Sequence, residues 1–363
     1  MDKEKRIIDV NKMKEIKRAL HITHNDGDAV GCAIVATNVF PNSDISENTH
    51  FCSIGKQDDT ILTLLNLIEE NASMEMPEVI MISDISLKRE TCDVLEKISK
   101  EHHVTLIGID HHITNNLDDE FSWWHVIKTK IDGLSISASE YMLNLFPETF
   151  SNSSKGSLTE TLIRMISRYD TWEWIYHPID WSKTFPGMCD EMVAYVCKLV
   201  GPVVTYKELL PYHDHRNQYN EPIVKYNEMV PRWFYEYLNS IHDAEVRYFR
   251  TLEDKARATY IDGKVVATIL AENQHTNAAC TYIFNHYQGI FDYIQILWIT
   301  SNSVGLRSER GTLDVSVYAK MHNGGGHTEA AGYKVETSEM RDLLNSFMSS
   351  PTIYEFLNGD DAN

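Results

Sequence analysis

Four short clusters of acidic and histidine residues, each placed after or within an apolar segment, constrain this chain more than any other feature. The apolar runs EVIMIS and VTLIGI are short and continuously hydrophobic, as strands buried on both faces are. In an open α/β sheet, ligands bind outside the carboxyl ends of the strands. The clusters are therefore predicted to meet at one edge of one sheet. They comprise His24, Asp26 and Asp28 after ALHIT, Asp84 after EVIMIS, Asp110, His111 and His112 after VTLIGI, and Asp170 in RMISRYDTWEW.

Carboxylates and imidazoles gathered at one edge of a sheet are suited to hold two divalent metal ions. Such ions lower the pKa of a bridging water, orient it for in-line attack and neutralise charge on a phosphate ester. The donors are mostly oxygen with little imidazole and no thiolate, so we expect Mn²⁺, with Mg²⁺ or Co²⁺ as alternatives. Ordinary structural alternatives exist: Asp28 or Asp84 as a helix N-cap, the histidine pair as satisfied buried residues, and Asp170 as a helix-end hydrogen-bonding residue.

The alternation of strand and helix signals predicts a mostly parallel, doubly wound α/β sheet, followed by a smaller α/β domain. We expect a first domain over residues 1–195, a partly helical connector over 196–256 and a second domain over 257–363. Asp262-Gly263 between two β-rich runs predicts a hairpin, and Ser157 to Glu160 form a capping-box pattern that is expected to start the helix carrying Asp170. Strands are predicted near 19–23, 50–54, 78–83, 104–109, 124–129, 292–299 and 303–308, and helices near 29–40, 58–70, 87–100, 135–146 and 275–288.

The bulk properties limit the partners and the location. The formal net charge of −20 argues against tracking long nucleic acid, because such binding neutralises many phosphates with Lys and Arg. The charged N-terminus lacks the apolar core of a signal peptide, and no apolar run is long enough to span a membrane. The six cysteines form no C-x-x-C pair, which suits reduced core residues. We therefore expect a cytoplasmic protein without a membrane segment.

The string HNDGDAVGC, followed by SD, IDHH and YDTW, resembles the DHH phosphoesterase superfamily. Residues 304–335, VGLRSERGTLDVSVYAKMHNGGGHTEAAGYKV, are similar to the DHH-associated C-terminal domain. His24 lies two residues before Asp26, a spacing closer to the RecJ-like and nano-RNase branch, and this spacing leaves open whether His24 binds metal directly. The resemblance implies a catalytic DHH domain and a substrate-binding domain with the active site in the cleft between them.

The resemblance also implies roles for individual residues. Asp84 is expected to bridge both metal ions, His111 to bind one of them and Asp170 to complete the ligands of the second. His112 is expected to contact the substrate phosphate and to protonate the leaving oxygen, while Asp110 orients a ligand or a metal-bound water. The substrate-binding residues implied in the second domain are Arg307, Ser308, Gly324, Gly325, Gly326 and His327. The glycines would let backbone N–H groups approach a phosphate, and Arg307 offers a forked pair of donors.

These features favour a metal-dependent phosphodiesterase that hydrolyses short oligoribonucleotides. A cyclic dinucleotide phosphodiesterase and a 3′-phosphoadenosine 5′-phosphate phosphatase are the nearest alternatives. A pyrophosphatase is disfavoured because that family lacks the glycine–histidine domain. A non-catalytic nucleotide-binding module is a remote alternative, against which the intact acidic clusters argue. The expected partners are short RNA or small nucleotide phosphoesters, and the resemblance allows a homodimer.

Overall fold

The computed structural model describes residues 10–71, 75–112, 115–128, 130–150, 154–177, 179, 201–213, 230–249, 251–270 and 276–359. The chain divides into two units, Met1–Leu238 and Asn239–Asn363. Within the described residues, no helix combines the length and the apolar character needed to cross a membrane.

A parallel sheet of five strands in the order β2-β1-β3-β4-β5 forms the centre of the first unit. This order reverses direction between β1 and β3, which makes their carboxyl ends the switch point where α/β sheets bind ligands. The strands are β1 (Ala19–Thr23), β2 (Thr49–Phe51), β3 (Val79–Ser83), β4 (Thr105–Asp110) and β5 (Trp124–Val126).

Helices cover both faces of this sheet, as the continuous apolar strands require. Val79 and Met81 of β3 join the core on one face, and Ile80 and Ile82 join the core on the other. The described helices are α1 (Val10–Met13), α2 (Gly27–Val39), α3 (Gln57–Glu70), α4 (Arg89–His102), α5 (Leu117–Glu120), α6 (Ala138–Leu145), α7 (Ser154–Asp170), α8 (Glu173–Tyr176), α9 (Pro202–His213) and α10 (Arg232–Phe249), with a 3₁₀ turn at Pro147–Thr149.

Helix α2 is buried along almost its whole length, from Asp28 to Val39. Its sequence is apolar around the full circumference, which is typical of a helix enclosed by other elements. Gly31 lies so close to α6 that a Cβ there would be 2.8 Å from the Cβ of Ser139. The small residues of α2 thus bring α6 close to the end of β1.

A six-stranded mixed sheet in the order β10-β11-β9-β8-β7-β6 forms the second unit. The pair β7–β8 is parallel and the other pairs are antiparallel. The strands are β6 (Arg257–Ile261), β7 (Lys264–Leu270), β8 (Tyr293–Trp298), β9 (Ser303–Arg307), β10 (Gly325–Gly326) and β11 (Ala330–Lys334). The helices are α11 (Leu252–Lys255), α12 (Thr276–His286), α13 (Val315–Met321), α14 (Thr337–Ser349) and α15 (Ile353–Asn358), with a 3₁₀ turn at Ile299–Ser301.

The predicted fold class is confirmed: a doubly wound parallel sheet precedes a smaller mixed α/β unit. The Asp262-Gly263 hairpin is also confirmed, since both residues have positive φ (49° and 76°), as a type I′ turn requires. The capping-box prediction is wrong, because α7 begins at Ser154 and Ser157 already lies inside it.

The predicted boundary at residues 195 and 196 lies outside the described residues. Within the predicted connector, Tyr206 and Leu209 of α9 are buried in a core of the first unit, whereas Leu252 and Ala256 pack in a core of the second. The boundary between the units falls inside α10, after Leu238.

Candidate metal centre

The carboxyl ends of β1, β3 and β4 carry three of the four clusters predicted from the sequence. His24 follows β1, Asp84 follows β3 and Asp110 is the last residue of β4. Strand β3 pairs with β1 on one side and β4 on the other, so these three chain ends are neighbours at one edge. The fourth cluster arrives from a helix, because Asp170 is the last residue of α7.

Among the described groups of side chains that could hold a metal ion, two sets consist entirely of predicted metal ligands. In each set, the ligand atoms lie within 4.8 Å of one another. One set is His24, Asp26 and Asp84, and the other is Asp28, His111 and Asp170. The structure therefore brings together Asp84 and the five other predicted metal ligands: His24, Asp26, Asp28, His111 and Asp170.

Asp84 belongs to the first set and also approaches the second. Its Oδ2 is 3.9 Å from Nδ1 of His24, and its Oδ1 is 3.2 Å from Nε2 of His111. Each carboxylate oxygen thus faces a different set. The residue is only 2% exposed and has a φ of +57°, a left-handed conformation that is uncommon outside glycine. This geometry suits a carboxylate that contacts two ions.

The charges of the cluster favour a cation. Burial, followed by the charges of neighbouring carboxylates, raises the pKa of Asp84 and of Asp170 well above its ordinary value. Asp84 Oδ2 and Asp170 Oδ2 are buried and form no hydrogen bond within the described part of the chain. Buried polar atoms are normally satisfied. Divalent ions would supply the missing partners and offset the repulsion, so the residues fit such ions.

Asp26 combines a ligand position with a structural role. Its Oδ1 accepts a hydrogen bond from the Ala29 N–H at 3.1 Å, so Asp26 is the N-cap of α2. Its Oδ2 lies 2.6 Å from Nδ1 of His24. The capping role considered for Asp28 therefore belongs to Asp26, and Asp28 lies in the first turn of the helix.

Asp28 is held by the N-terminus of α6. Its Oδ2 accepts from the Ala138 N–H at 3.0 Å, and its Oδ1 accepts from the Ser139 hydroxyl at 2.5 Å and from the Ser137 hydroxyl. Burial and the charge of Asp26 raise the pKa of Asp28 to about 6, although these hydrogen bonds oppose the shift. Ser137 and Ser139 were missed at the sequence level. Their only signal is the serine-rich run SISAS at the start of the helix predicted near 135–146, since serine is a favoured N-cap residue.

We expect Ser139→Ala to weaken metal binding at the set that contains Asp28. Removing an outer partner of a metal ligand typically lowers metal affinity or activity about 10–100-fold. Titration of chelator-stripped protein with Mn²⁺ measures this directly. Ser43→Ala is the matched control, because the Ser43 hydroxyl is also buried but donates to the Phe40 carbonyl. Two Mn²⁺ ions bound with parental affinity by Ser139→Ala would contradict the role.

Asp110 orients His112 rather than facing the two ligand sets as a free carboxylate. Its Oδ1 accepts from the His111 N–H at 2.8 Å and lies 2.7 Å from Nδ1 of His112, and its Oδ2 accepts from Asn115 at 2.6 Å and Ser86 at 3.0 Å. Burial opposes its ionisation, yet the charge and hydrogen bond of His112 hold the pKa of Asp110 well below its usual range.

The same contact acts on His112. Burial disfavours the imidazolium, but the charge and hydrogen bond of Asp110 raise the pKa of His112 to about 9. Nδ1 is the ring nitrogen that contacts Asp110. The side chain is 30% exposed, unlike that of the adjacent His111. His112 thus lies at the more exposed side of the cluster, while His111 lies buried among the carboxylates.

Five other histidines lie outside both ligand sets among the described residues. They are His21 and His125, which are buried, His50, which is half-buried, and His102 and His103, which are exposed. Four cysteines, Cys32, Cys52, Cys92 and Cys280, are buried and form no disulfide within the described part of the chain.

In the second unit, Arg307 ends β9 and Ser308 follows it. Arg307 is half-buried and its Nη1 donates to the Leu306 carbonyl at 2.9 Å. Ser308 is fully buried and donates its hydroxyl to the Leu313 carbonyl at 2.6 Å. Arg307 also donates from Nη2 to Asn277 Oδ1 at 3.5 Å. This placement gives Ser308 a role in holding the loop that follows β9.

In the glycine run, Gly325 and Gly326 form β10 and Gly324 directly precedes it. A Cβ at Gly324 would lie 2.2 Å from the Gly332 carbonyl oxygen, and one at Gly326 would lie 2.5 Å from that of Ala330. Both glycines are thus required for close contact with β11. A Cβ at Gly325 would meet open space. His327, half-buried, closes the hairpin by donating its N–H to the Ala330 carbonyl at 2.8 Å.

Comparisons with known proteins agree with this architecture. No family model matches the sequence. The chain is 26% identical over 329 residues to oligoribonuclease NrnB of Bacillus subtilis, and the match covers 89% of this chain and 74% of that protein.

Two solved structures share the fold. The DHH domain of a member of the s1p family of ribosomal proteins is 12% identical, with a TM-score of 0.52 over 93% of this chain and 87% of that one. Exonuclease RecJ bound to manganese is also 12% identical, with a TM-score of 0.50 over 94% of each chain. With its spaced acidic motifs meeting at the switch point of a parallel sheet, the chain shares the fold of that DHH domain and of RecJ.

Proposed function

We propose that this protein is a metal-dependent phosphodiesterase that hydrolyses short oligoribonucleotides. The observation that carries the proposal is Asp84, whose two oxygens face separate ligand sets. Two divalent ions bound there would supply Lewis acidity toward a phosphate ester and an activated water. The oxygen-rich donors favour Mn²⁺, with Mg²⁺ or Co²⁺ as alternatives.

The chain's own residues would divide the remaining work. Asp84 would fix the spacing of the two ions, and the hydrogen bonds to Asp28 would hold the second set in place. His112, oriented through Nδ1 by Asp110, would donate a proton from Nε2 to the leaving oxygen. No side-chain nucleophile is needed for this reaction.

Short RNA is the substrate that the comparisons favour, because the relative from Bacillus subtilis is an oligoribonuclease. The net charge of −20 also favours a short anion over a long nucleic acid. Cyclic dinucleotides and 3′-phosphoadenosine 5′-phosphate remain the alternatives to be tested. The cytoplasmic location and the homodimer stay predictions.

We assign Arg307, the glycine run Gly324–Gly326 and His327 to the part of the substrate beyond the scissile phosphate. The support is the resemblance of residues 304–335 to the DHH-associated domain, together with the half-buried position of Arg307 at the end of β9. Gly325 is half-buried, and the open space at the position of its missing Cβ leaves room for a ligand atom. Ser308 would support this region rather than contact substrate.

Arg307→Ala is expected to lower kcat/KM for an RNA pentamer while sparing a small chromogenic phosphodiester. Loss of one charge-assisted hydrogen bond amounts to about 1.5–3 kcal/mol, or roughly ten- to hundred-fold in rate. The measured quantity is the ratio of the two activities. Lys334→Ala, which removes an exposed positive charge from the same sheet, is the control. An equal fall for both substrates would contradict a role beyond the scissile phosphate.

The product profile of chelator-stripped protein tests the proposed function. The protein would be incubated with added Mn²⁺ and RNA dimers to decamers, a cyclic dinucleotide and 3′-phosphoadenosine 5′-phosphate. We expect the short RNAs to be hydrolysed fastest, with no activity in excess chelator. Faster hydrolysis of the cyclic dinucleotide or of 3′-phosphoadenosine 5′-phosphate would identify that nucleotide as the substrate in place of short RNA. Full activity in excess chelator would overturn the two-metal mechanism. Binding without hydrolysis of any phosphodiester would indicate a nucleotide-binding module.

A further inference from the structure

A buried polar network crosses the parallel sheet directly beneath the candidate metal centre. His21, Thr23 and Ser83 are each fully buried, in strands whose other members are mostly apolar. Nε2 of His21 lies 2.8 Å from the Ser83 hydroxyl, and that hydroxyl donates to Oγ1 of Thr23 at 3.0 Å. We call these three residues the strand-end network.

The contacts of Ser83 assign a donor role to Nε2 of His21. The Ser83 hydroxyl donates to Thr23, so its oxygen is available to accept from Nε2. On the other side of the ring, Nδ1 lies 3.5 Å from the Thr49 hydroxyl. Burial, with a smaller effect of His50, lowers the pKa of His21 to about 3. The ring is thus a neutral donor throughout the physiological range, which excludes a role as an acid or base in that range.

The network connects the two strand ends that carry metal ligands. Thr23 directly precedes His24, and Ser83 directly precedes Asp84. Asp84 adopts a left-handed backbone conformation, which persists only where surrounding contacts enforce it. Three buried polar side chains in an apolar sheet are unfavourable unless they are paired with one another. Here the pairing joins β1 to β3 at the residues where both strands end.

We propose that His21 is a positioning residue that acts through Ser83 and Thr23 to fix His24 and Asp84, and so sets the affinity of the centre for divalent ions. This inference rests on the metal centre of the proposed function. It concerns residues outside both ligand sets and does not depend on the identity of the phosphoester.

Three variants separate positioning from ordinary core packing. His21→Phe keeps the ring volume but removes the donor, and Ser83→Ala removes the link to Thr23. His21→Gln keeps an N–H donor at the position of Nε2 and is the conservative rescue. Tyr206→Phe is the matched control, because it deletes another buried hydrogen bond of the same unit, between the Tyr206 and Thr37 hydroxyls at 2.5 Å.

The readouts are the Kd for Mn²⁺ of chelator-stripped protein, measured by calorimetric titration without substrate, and the Tm of each metal-free variant. We expect His21→Phe and Ser83→Ala to raise the Kd about 10–100-fold, the range seen when outer partners of metal ligands are removed. His21→Gln should stay within about threefold of the parent, while Tyr206→Phe lowers Tm without changing the Kd.

Parental Mn²⁺ affinity in Ser83→Ala and His21→Phe would overturn the proposal and leave His21 as a core residue. If His21→Phe does not fold, the Kd for Mn²⁺ is compared between Ser83→Ala and Tyr206→Phe. At an equal loss of Tm, only Ser83→Ala is expected to show the raised Kd. The proposed function can fail while this inference holds. A protein that binds Mn²⁺ but hydrolyses no RNA would contradict the proposed function, yet its variants would still show the losses of Mn²⁺ affinity. Absence of Mn²⁺ binding by the parent would remove both.

Discussion

Replacing Asp84 with alanine is expected to reduce kcat for short RNA by a factor of about 10³ or more, because the proposed function assigns this one carboxylate to both metal sites. The fold should survive. Burial and neighbouring carboxylates raise the pKa of Asp84, so its ionised form destabilises the metal-free chain at neutral pH. Removing that charge should therefore leave Tm in chelator unchanged or higher, while the increase in Tm on adding Mn²⁺ is lost.

Asp84→Asn sharpens this test, since it keeps the side-chain shape and removes only the charge. Asp44→Asn is the matched control: the Asp44 carboxylate accepts from the Ala19 N–H at 3.1 Å at the opposite end of β1. Its variant should retain Mn²⁺ binding and activity. More than a few per cent of parental turnover in folded Asp84→Ala at saturating Mn²⁺ would show that Asp84 does not bridge the ions.

His112→Ala is expected to lower kcat for RNA by about 10²–10⁴-fold, the usual contribution of a general acid. The loss should be much smaller for a nitrophenyl phosphodiester, whose leaving group departs without protonation. Asp110 raises the pKa of His112 to about 9, so in the metal-free chain the ring stays protonated at neutral pH and loses its proton as pH rises through that value. Bound cations would move this value down.

The comparison of the two leaving groups decides the role of His112. Equal losses on both esters would assign the residue to binding the phosphate instead of protonating the leaving oxygen. His103→Ala is the control, since His103 is exposed at the end of α4 and lies outside the ligand sets. Its variant should hydrolyse both esters at the parental rate.

Local patterns were enough to predict the fold and the clustering of the proposed metal ligands at one edge of the sheet. Continuous apolar runs such as those of β3 and β4 specify buried parallel strands, and β1 was predicted with its observed bounds. Acidic residues directly after these strands must lie at the carboxyl edge, because parallel strands all end on one side. Asp84, His111 and the pair Asp26 and Asp28 could therefore be placed at the centre before any coordinates were known.

Other features depended on contacts between residues far apart in sequence. The capping-box pattern at Ser157 predicted the wrong start for α7, which already begins at Ser154. Local hydrogen-bonding preferences do not reveal that the helix starts three residues earlier. The glycine run suggested a phosphate-binding loop, yet Gly324 and Gly326 are required by the close approach of β11. A glycine's neighbours are set by strand pairing, which the linear pattern leaves open.

The sequence by itself determined which residue types stand at the ends of the strands, and hence the chemistry that the edge of the sheet can support. Only the tertiary structure decided how each carboxylate is divided between its partners: Asp84 between two ligand sets, Asp28 against Ser137 and Ser139, and Asp110 against His112. The partners of Asp28 lie more than a hundred residues away. Their convergence follows from the packing of α6 on α2, which is a property of the folded core and not of any local segment.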